Sequence, residues 1–517
     1  MTHTILVVPT GVSVGLTTIL LGLERAFEEQ GLRVKRFKPI EQNKNKSVSE
    51  NSLTLPLSEV EQMLRQGTTD LLLEKILENY NLLREQADIV LVYGLIAIQD
   101  QSYVAQLNNN LAATLNAQII IATSALVDSL AQLNDRIEIA ARYFGGLENP
   151  SLLGCIINKI NAPKIKNQDA KLDLGYLYQI GEGKNSTANI LYEKAEVFQK
   201  THFKLLACIP WEPQINAPRV KDIADFSSAK IISSGEMAAR RVQYLTLCAR
   251  SINHIIPILL PGTLIITPGD RSDIILAACL AVLNGIKLAG LLLTGGYVPD
   301  KNILQLCEQA LATGLPVLLV EENSFRTAVM LHELSLESPE DDIERIEKIK
   351  NFVAAYIGVN WIKSFIRTSY EPHLSPAAFR YQLTQMAVAA NKKIVLPEGT
   401  EPRTLAAAAI CAERKLVDCV LLGNPEEIKR VAEYNGINLP TTISIVNPDE
   451  IRESLVQPLV ALRKNKGLNE FAAREYLLDP VVVGTMMLQQ NQVDGLVSGA
   501  LHTTANTIRP ALQLIKT

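Results

Sequence analysis

The feature that most constrains this chain is a recurring one, a short apolar run followed by a helical stretch. ILVV (5–8), IVLV (89–92), IIIA (119–122) and GCII (154–157) mark the first part of the chain. TLIIT (263–267), GLLLT (290–294) and PVLLV (316–320) mark the second. KIVLPEG (393–399), CVLLG (419–423), ISIV (443–446) and DGLVSG (494–499) mark the third. Runs without polar alternation suit strands buried on both faces, and intervening helices supply the crossovers that parallel strands need. At 517 residues the chain exceeds one core, so about two to four domains are expected. The predicted fold class is α/β, in three consecutive domains with mainly parallel sheets.

Helix signals place the boundaries. LTTILLGLERAFEEQG begins after the first run and stops at Gly31. Pro402 opens the helix RTLAAAAICAERK, and Asn424-Pro425 caps EEIKRVAEYNG, which stops at Gly436. Residues 164–190 are polar and read as an excursion loop. The stretch 337–365 has an acidic start and apolar residues at helical spacing, which reads as a connecting helix. The expected units are 1–220, 221–336, a helical linker over 337–374, and 375–517.

Several function classes fall away on charge and spacing. Lys+Arg of 50 against Asp+Glu of 54 leaves a net charge of −4, and no basic run tracks a phosphate backbone, so no nucleic-acid partner is expected. The seven cysteines include no C-x-x-C pair and the six histidines no H-x-x-x-H pair, so no metal site is expected. Scattered cysteines in apolar runs imply reduced thiols and a cytoplasmic protein. Thr4–Leu23 is uncharged and long enough to span a bilayer, but Pro9, Gly11, Gly15 and Gly22 interrupt it. A strand at Ile5–Val8 and a helix from about Val14 to Glu29 account for it without a membrane.

ILVVPTGVSVGLTT (5–18) has the outline of a phosphate-binding loop. Such a loop uses backbone N–H groups at a helix start, a lysine on the outer phosphates and a hydroxyl on Mg²⁺. Gly11, Gly15 and Thr17 survive from that pattern, whereas Leu16 stands where the lysine belongs and Pro9 near the leading glycine. Lys38, expected on the same rim, is a partial substitute. The run IVLVYG ends in Tyr93 where an acidic Mg²⁺ partner would stand. With two charges missing, the loop reads as degenerate, a scaffold rather than a site of phosphoryl transfer. IINKINAP (156–163) reads either as a base-reading loop or as a strand end capped by its Asn and Lys.

In the second part, TPGDRSD (267–273) and LTGGY (293–297) each follow a strand. Asp270, Arg271, Thr294, Gly295 and Gly296 form either a small-ligand or regulatory pocket or a plain turn with an exposed ion pair. In the third part, LVSGALHTTANTIRP (496–510) leaves a strand through small residues and enters a helix. Hydroxyls and free N–H groups there, with Arg509 nearby, suit a phosphate or an acyl phosphate. Arg463, in ALRKNKG, suits a second anionic group.

At these residues the sequence resembles bacterial phosphate acetyltransferases of the long, three-domain kind. The third part carries IVLPEG with EPRT, CVLLGNP, LRKNKG, VDGLVSGA and HTTANTIRPALQLIKT, in that order. The second part resembles the DRTGG domain of those enzymes, and the first their dethiobiotin-synthetase-like domain of P-loop type. The resemblance implies reversible acetyl transfer between coenzyme A and inorganic phosphate, the thiolate attacking acetyl phosphate directly. It implies that Arg463 binds coenzyme A and Arg509 the acyl phosphate, with Ser498, His502, Thr503 and Thr504 lining that pocket. Coenzyme A is then a substrate and no cofactor is expected; a homo-oligomer is. The preference for acetyl over butyryl rests on the three-domain architecture.

The resemblance also implies a departure. The family's catalytic domain continues past IRPALQLIKT, so its general-base Asp and its Ser-Arg pair are expected beyond Thr517, and 375–517 is the N-terminal half of that domain. The expectation is a chain inactive or nearly so by itself, unless a second polypeptide completes it. The alternative is a non-catalytic regulatory or oligomerisation fragment. An ATP-dependent ligase is a third option, against which Leu16 and Tyr93 argue.

Overall fold

Each apolar run forms a strand. The computed structural model describes residues 2–12, 14–43, 52–97, 101–125, 129–162, 195–199, 203–332, 334, 339–367 and 375–515. The polar excursion at 164–190 lies outside them. Two compact units are present, residues 1–375 and 376–517.

The first unit holds two main sheets. β1 (His3–Pro9), β2 (Val34–Phe37), β5 (Ile89–Tyr93), β6 (Gln118–Ser124), β7 (Leu152–Ile160) and β8 (Lys204–Pro210) form the first, ordered β2-β5-β1-β6-β7-β8. All its pairings are parallel. The short strands β3 (Ile40–Glu41) and β4 (Leu55–Pro56) pair beside it. The order reverses at β1, so the loop after β1 lies at a switch point, where such sheets open a crevice. That loop enters α1 (Leu16–Glu28), which buries Leu16, Ile19, Leu20, Leu23 and Phe27.

The second sheet is built from β9 (Lys230–Ser233), β10 (Tyr244–Leu247), β11 (Thr263–Pro268), β12 (Gly290–Thr294) and β13 (Val317–Leu319). Its order is β10-β11-β12-β13-β9, parallel except for β9 against β13. α2 (Ser272–Leu283) follows β11 and covers one face with Ile274, Ile275, Ala278 and Val282.

The stretch read as one connecting helix is two, α3 (Ile343–Ala354) and α4 (Val359–Arg367), and both belong to the core of the first sheet. Ile349, Val353, Ile357, Ile362 and Phe365 recur at near-helical spacing and are all buried against α1. The Phe27 ring lies 5.9 Å from those of Trp361 and Phe365. Asp342 caps α3 by accepting from Arg345 N (3.3 Å), and its buried carboxylate also pairs with Arg241 (2.7 Å). Arg219, buried beside it, pairs with Asp222 (2.7 Å) and Asp341 (2.9 Å). Among the described residues no helix is long and apolar enough to cross a membrane.

The second unit begins with α5 (Pro376–Ala390) and has one four-stranded parallel sheet. Its strands are β14 (Lys393–Leu396), β15 (Asp418–Leu422), β16 (Ser444–Val446) and β17 (Gly495–Leu496), ordered β16-β15-β14-β17. The helices α6 (Pro402–Glu413), α7 (Pro425–Tyr434), α8 (Pro448–Leu462), α9 (Glu470–Tyr476), α10 (Pro480–Gln489) and α11 (Thr504–Leu514) connect or follow them. Asn424 caps α7 through Glu426 N and Glu427 N, with Pro425 in the first turn, as its sequence signature requires. The strand order reverses between β14 and β17, so the loops leaving those two strands face one crevice.

Candidate functional site

The crevice is formed by the turn 397–403 after β14 and the loop 497–503 after β17. Glu398, in the first, sends its carboxylate into the second. Oε2 accepts from Gly499 N (3.0 Å) and Ala500 N (2.8 Å), and Oε1 from Leu501 N (2.7 Å) and His502 N (2.8 Å). Oε1 also lies 2.8 Å from Nδ1 of His502. The Glu398 side chain is only 3% exposed. Burial pushes its carboxyl upward, but the N–H groups of Leu501, His502 and Ala500 and the His502 ring outweigh this and hold it at about 2.

The same turn grips the loop from its carbonyl side. Arg403 Nη2 donates to Ala500 O (3.0 Å), and its Nε donates to Glu401 Oε1 (2.5 Å). Glu401 also caps α6 by accepting from Thr404 N (2.9 Å), and chiefly the Arg403 guanidinium lowers its carboxyl. Sequence reasoning singled out the β17 loop and missed these three residues. The available signal was E-x-x-E-x-R at 398–403, polar residues directly after a buried strand.

The predicted residues of this unit are arranged as follows. Ser498 Oγ is buried and has no hydrogen-bond partner among the described residues. Thr503 is the N-cap of α11, accepting from Asn506 N (3.4 Å), and Thr504 is its exposed first residue. The N–H groups of 499–502, in the loop before the helix start, are taken by Glu398. Nε2 of His502 faces Asp479 Oδ1 at 3.8 Å.

Arg463 touches α11, and Arg509 is part of it. Arg463, at the C-cap of α8, reaches Gln513 O (3.3 Å), and Arg509 is exposed four residues before Gln513 on the same helix. Among the described residues Arg509 has no ion-pair or hydrogen-bond partner.

The degenerate nucleotide loop of the first unit is closed from within. Leu16 is a core residue, 7% exposed. Gly15 adopts φ +81°, and Asn158 stands so close that a side chain at position 15 would strike it at 2.6 Å. The Asn158 amide donates to Val14 O (2.9 Å) and its oxygen accepts from Lys159 N (2.8 Å). This favours the strand-cap reading of IINK over base reading. Lys159 lies 5.7 Å over the Trp211 ring, and burial lowers its ammonium. Lys38, the expected partial substitute for the missing lysine, donates to both carboxylate oxygens of Glu41 at 2.8 Å. Gly11 is open to space and Thr17 lies in the first turn of α1. Tyr93 Oη accepts from Arg36 (3.1 Å).

In the second sheet, the loops after β11 and β12 touch, Gly269 N donating to Thr294 O (3.2 Å). Arg271 is held by Asp273 (2.8 and 2.9 Å), and Asp270 is exposed. Thr294 Oγ1 bonds Ser324 Oγ (2.6 Å), while Gly295 N and Gly296 N donate to Glu322 O and Val320 O. Thr294, Gly295 and Gly296 are satisfied within the fold, whereas Thr267 Oγ1 is buried without a hydrogen-bond partner among the described residues. Among the described residues no cluster of His, Cys, Asp or Glu could hold a metal ion.

Comparison with known proteins matches three family models along the chain. An AAA domain model matches residues 3–219, a DRTGG domain model 222–334, and a phosphate acetyl/butaryl transferase model 378–517. The phosphate acetyltransferases of Salmonella typhimurium and Escherichia coli are each 46% identical over all of this chain, which covers 74% of each of them. The chain belongs to the phosphate acetyltransferase family. The enzyme of Pseudomonas aeruginosa is likewise 46% identical, with 73% of it covered. Among solved structures, a phosphotransacetylase from Staphylococcus aureus is 39% identical over 26% of this chain and 41% of its own, at a TM-score of 0.25. The three-part α/β architecture and the family read from the sequence are both borne out. The crevice between β14 and β17 is the place where VLPEG, EPRT and VDGLVSGA, the strings on which the resemblance was read, converge.

Proposed function

We propose that the second unit binds acetyl phosphate, inorganic phosphate and coenzyme A for reversible acetyl transfer between phosphate and the coenzyme A thiol. The observation that carries this is the exposed Arg509 guanidinium on α11, the helix that Arg463 also reaches, following a crevice loop locked by Glu398. An acyl phosphate presents a doubly charged phosphoryl group, which an exposed guanidinium engages through paired N–H bonds. Arg509 takes that role, with Ser498, His502, Thr503 and Thr504 around the acyl phosphate. Arg463 meets the phosphates of coenzyme A. Towards the thioester, the thiol gives its proton to solvent, the thiolate sulfur forms a C–S bond as the C–O bond breaks, and phosphate leaves with that bond's electron pair.

Leu16 in the core and Arg271 held by Asp273 favour a supporting part for the first two domains, as scaffold and through assembly into a homo-oligomer. Coenzyme A is a substrate, and no further cofactor is needed. Calorimetric titration tests the reading. The chain is expected to bind coenzyme A and acetyl phosphate saturably. Arg463→Gln should weaken coenzyme A binding selectively and Arg509→Gln acetyl phosphate, each about tenfold for a lost charge-assisted contact. A chain that binds neither ligand refutes the assignment.

A further inference from the structure

The β17 loop presents four consecutive backbone N–H groups, Gly499 to His502, to a single point. Such a row forms a concave anion site, and beside a phosphate-binding crevice its obvious guest would be the substrate. Its occupant is a side chain of the protein itself. We propose that Glu398 is a positioning residue, an internal anion that fills this nest and sets the loop carrying Ser498 and His502 for an acyl phosphate bound alongside.

Three observations support the assignment. The donors divide two and two between the carboxylate oxygens at 2.7–3.0 Å, which uses both oxygens fully. The carboxylate is almost wholly buried, so water does not compete for it. Arg403 grips the same loop through Ala500 O, so its donor and acceptor sides are both tied to the turn after β14.

Two consequences follow for the substrate. Its phosphoryl oxygens are excluded from the nest and must be met by Arg509 and by side-chain hydroxyls, of which Ser498 Oγ is buried and unpartnered. The His502 ring is also fixed, because an ionised carboxylate at Nδ1 accepts and so keeps the hydrogen on that nitrogen. Nε2 is then the ring nitrogen that faces Asp479 Oδ1, at 3.8 Å.

This role rests on the acyl-phosphate reading above, and the test separates the two. Hydrogen exchange by mass spectrometry on the full chain reads the amides of 499–502 with no ligand present. Glu398→Gln places an NH₂ against N–H donors and should speed their exchange about tenfold or more, the effect of losing charge-assisted bonds. Its affinity for acetyl phosphate should fall about tenfold, and Glu398→Asp, which keeps the charge, should recover part of both. Glu398→Ala supplies a direct assay of the nest, since added formate should restore protection of the same amides. If the Ala variant fails to fold by circular dichroism, the near-isosteric Gln variant decides the matter.

Unchanged exchange in Glu398→Gln overturns the occupied nest, as does formate without effect on a folded Ala variant. Faster exchange with unchanged affinity overturns the positioning role. A wild-type chain that binds no acetyl phosphate refutes the functional reading and the substrate-facing half of this one. The exchange data still decide the nest.

Discussion

Val353 occupies the space that any side chain at position 22 would need, so Gly22 is the point of closest approach between α1 and α3. A methyl group there would overlap the valine side chain and force the helices apart. Gly22→Ala gains helix propensity yet should destabilise the first unit by about 1–3 kcal/mol through overpacking. The double variant with Val353→Ala should lose less than the sum of the two single changes, because the cavity left by one accommodates the other. Additive losses in urea denaturation would show that the two residues do not meet.

Asp342 is the buried anion shared by the α3 cap, Arg241 and Arg219. Asp342→Asn keeps the shape and removes the charge, leaving two largely buried guanidiniums short of a partner. A loss of about 3 kcal/mol is expected, the scale for breaking a buried pair from one side. Exposed pairs such as Lys348–Glu344 should cost under about 1 kcal/mol when broken. Thermal unfolding of both variants makes the comparison, and equal effects would contradict it.

Leu16→Lys restores the letter of a phosphate-binding loop without its function. The new ammonium would enter the packed core under β1, among Ile5, Ile19 and Leu20. The expected outcome is a loss of about 2–4 kcal/mol, with no gain in Mg-ATP binding by calorimetry. Tight ATP binding by the variant would return the loop to the class of working sites.

Acid should act on the second unit through Glu398. Its folded-state carboxyl, at about 2, lies below its ordinary value of 4.5, so the unfolded chain binds the proton more readily. The stability it contributes is complete above about pH 4.5 and is lost as pH falls towards 2. Glu398→Gln should be less stable at neutral pH and lose less on acidification through that window. Denaturation curves at stepped pH measure it, and parallel acid profiles would assign the loss to other lowered carboxyls, among them Glu401 and Asp494.

Much of this architecture was legible in the sequence because it depends on local pattern. A strand buried on both faces must be apolar throughout, and a helix start must satisfy its own N–H groups, so β1 and the Asn424 cap could be read directly. Leu16 was legible for the same reason, since a missing lysine is a missing charge whatever surrounds it. The docking of α3 and α4 was not, because an amphipathic face announces that it will be buried but not against what. Glu398 was quoted within a motif yet given no role, because its partners lie 101–104 residues further on. The ion pair of Lys38 with Glu41 was not read either, although its partner is only three residues away.

The position of α3 and α4 also bears on how the chain is made. The core under the first sheet draws on residues from Ile5 to Phe365, and the whole second sheet is synthesised between those limits. On the ribosome, α1 therefore emerges with an apolar face that stays uncovered until some 130 further residues have followed the end of β8. A fragment ending near residue 220 would keep that face permanently open, and its natural fate is aggregation. The second sheet must fold while the first awaits its final layer, which makes the order of synthesis part of how this molecule reaches its structure.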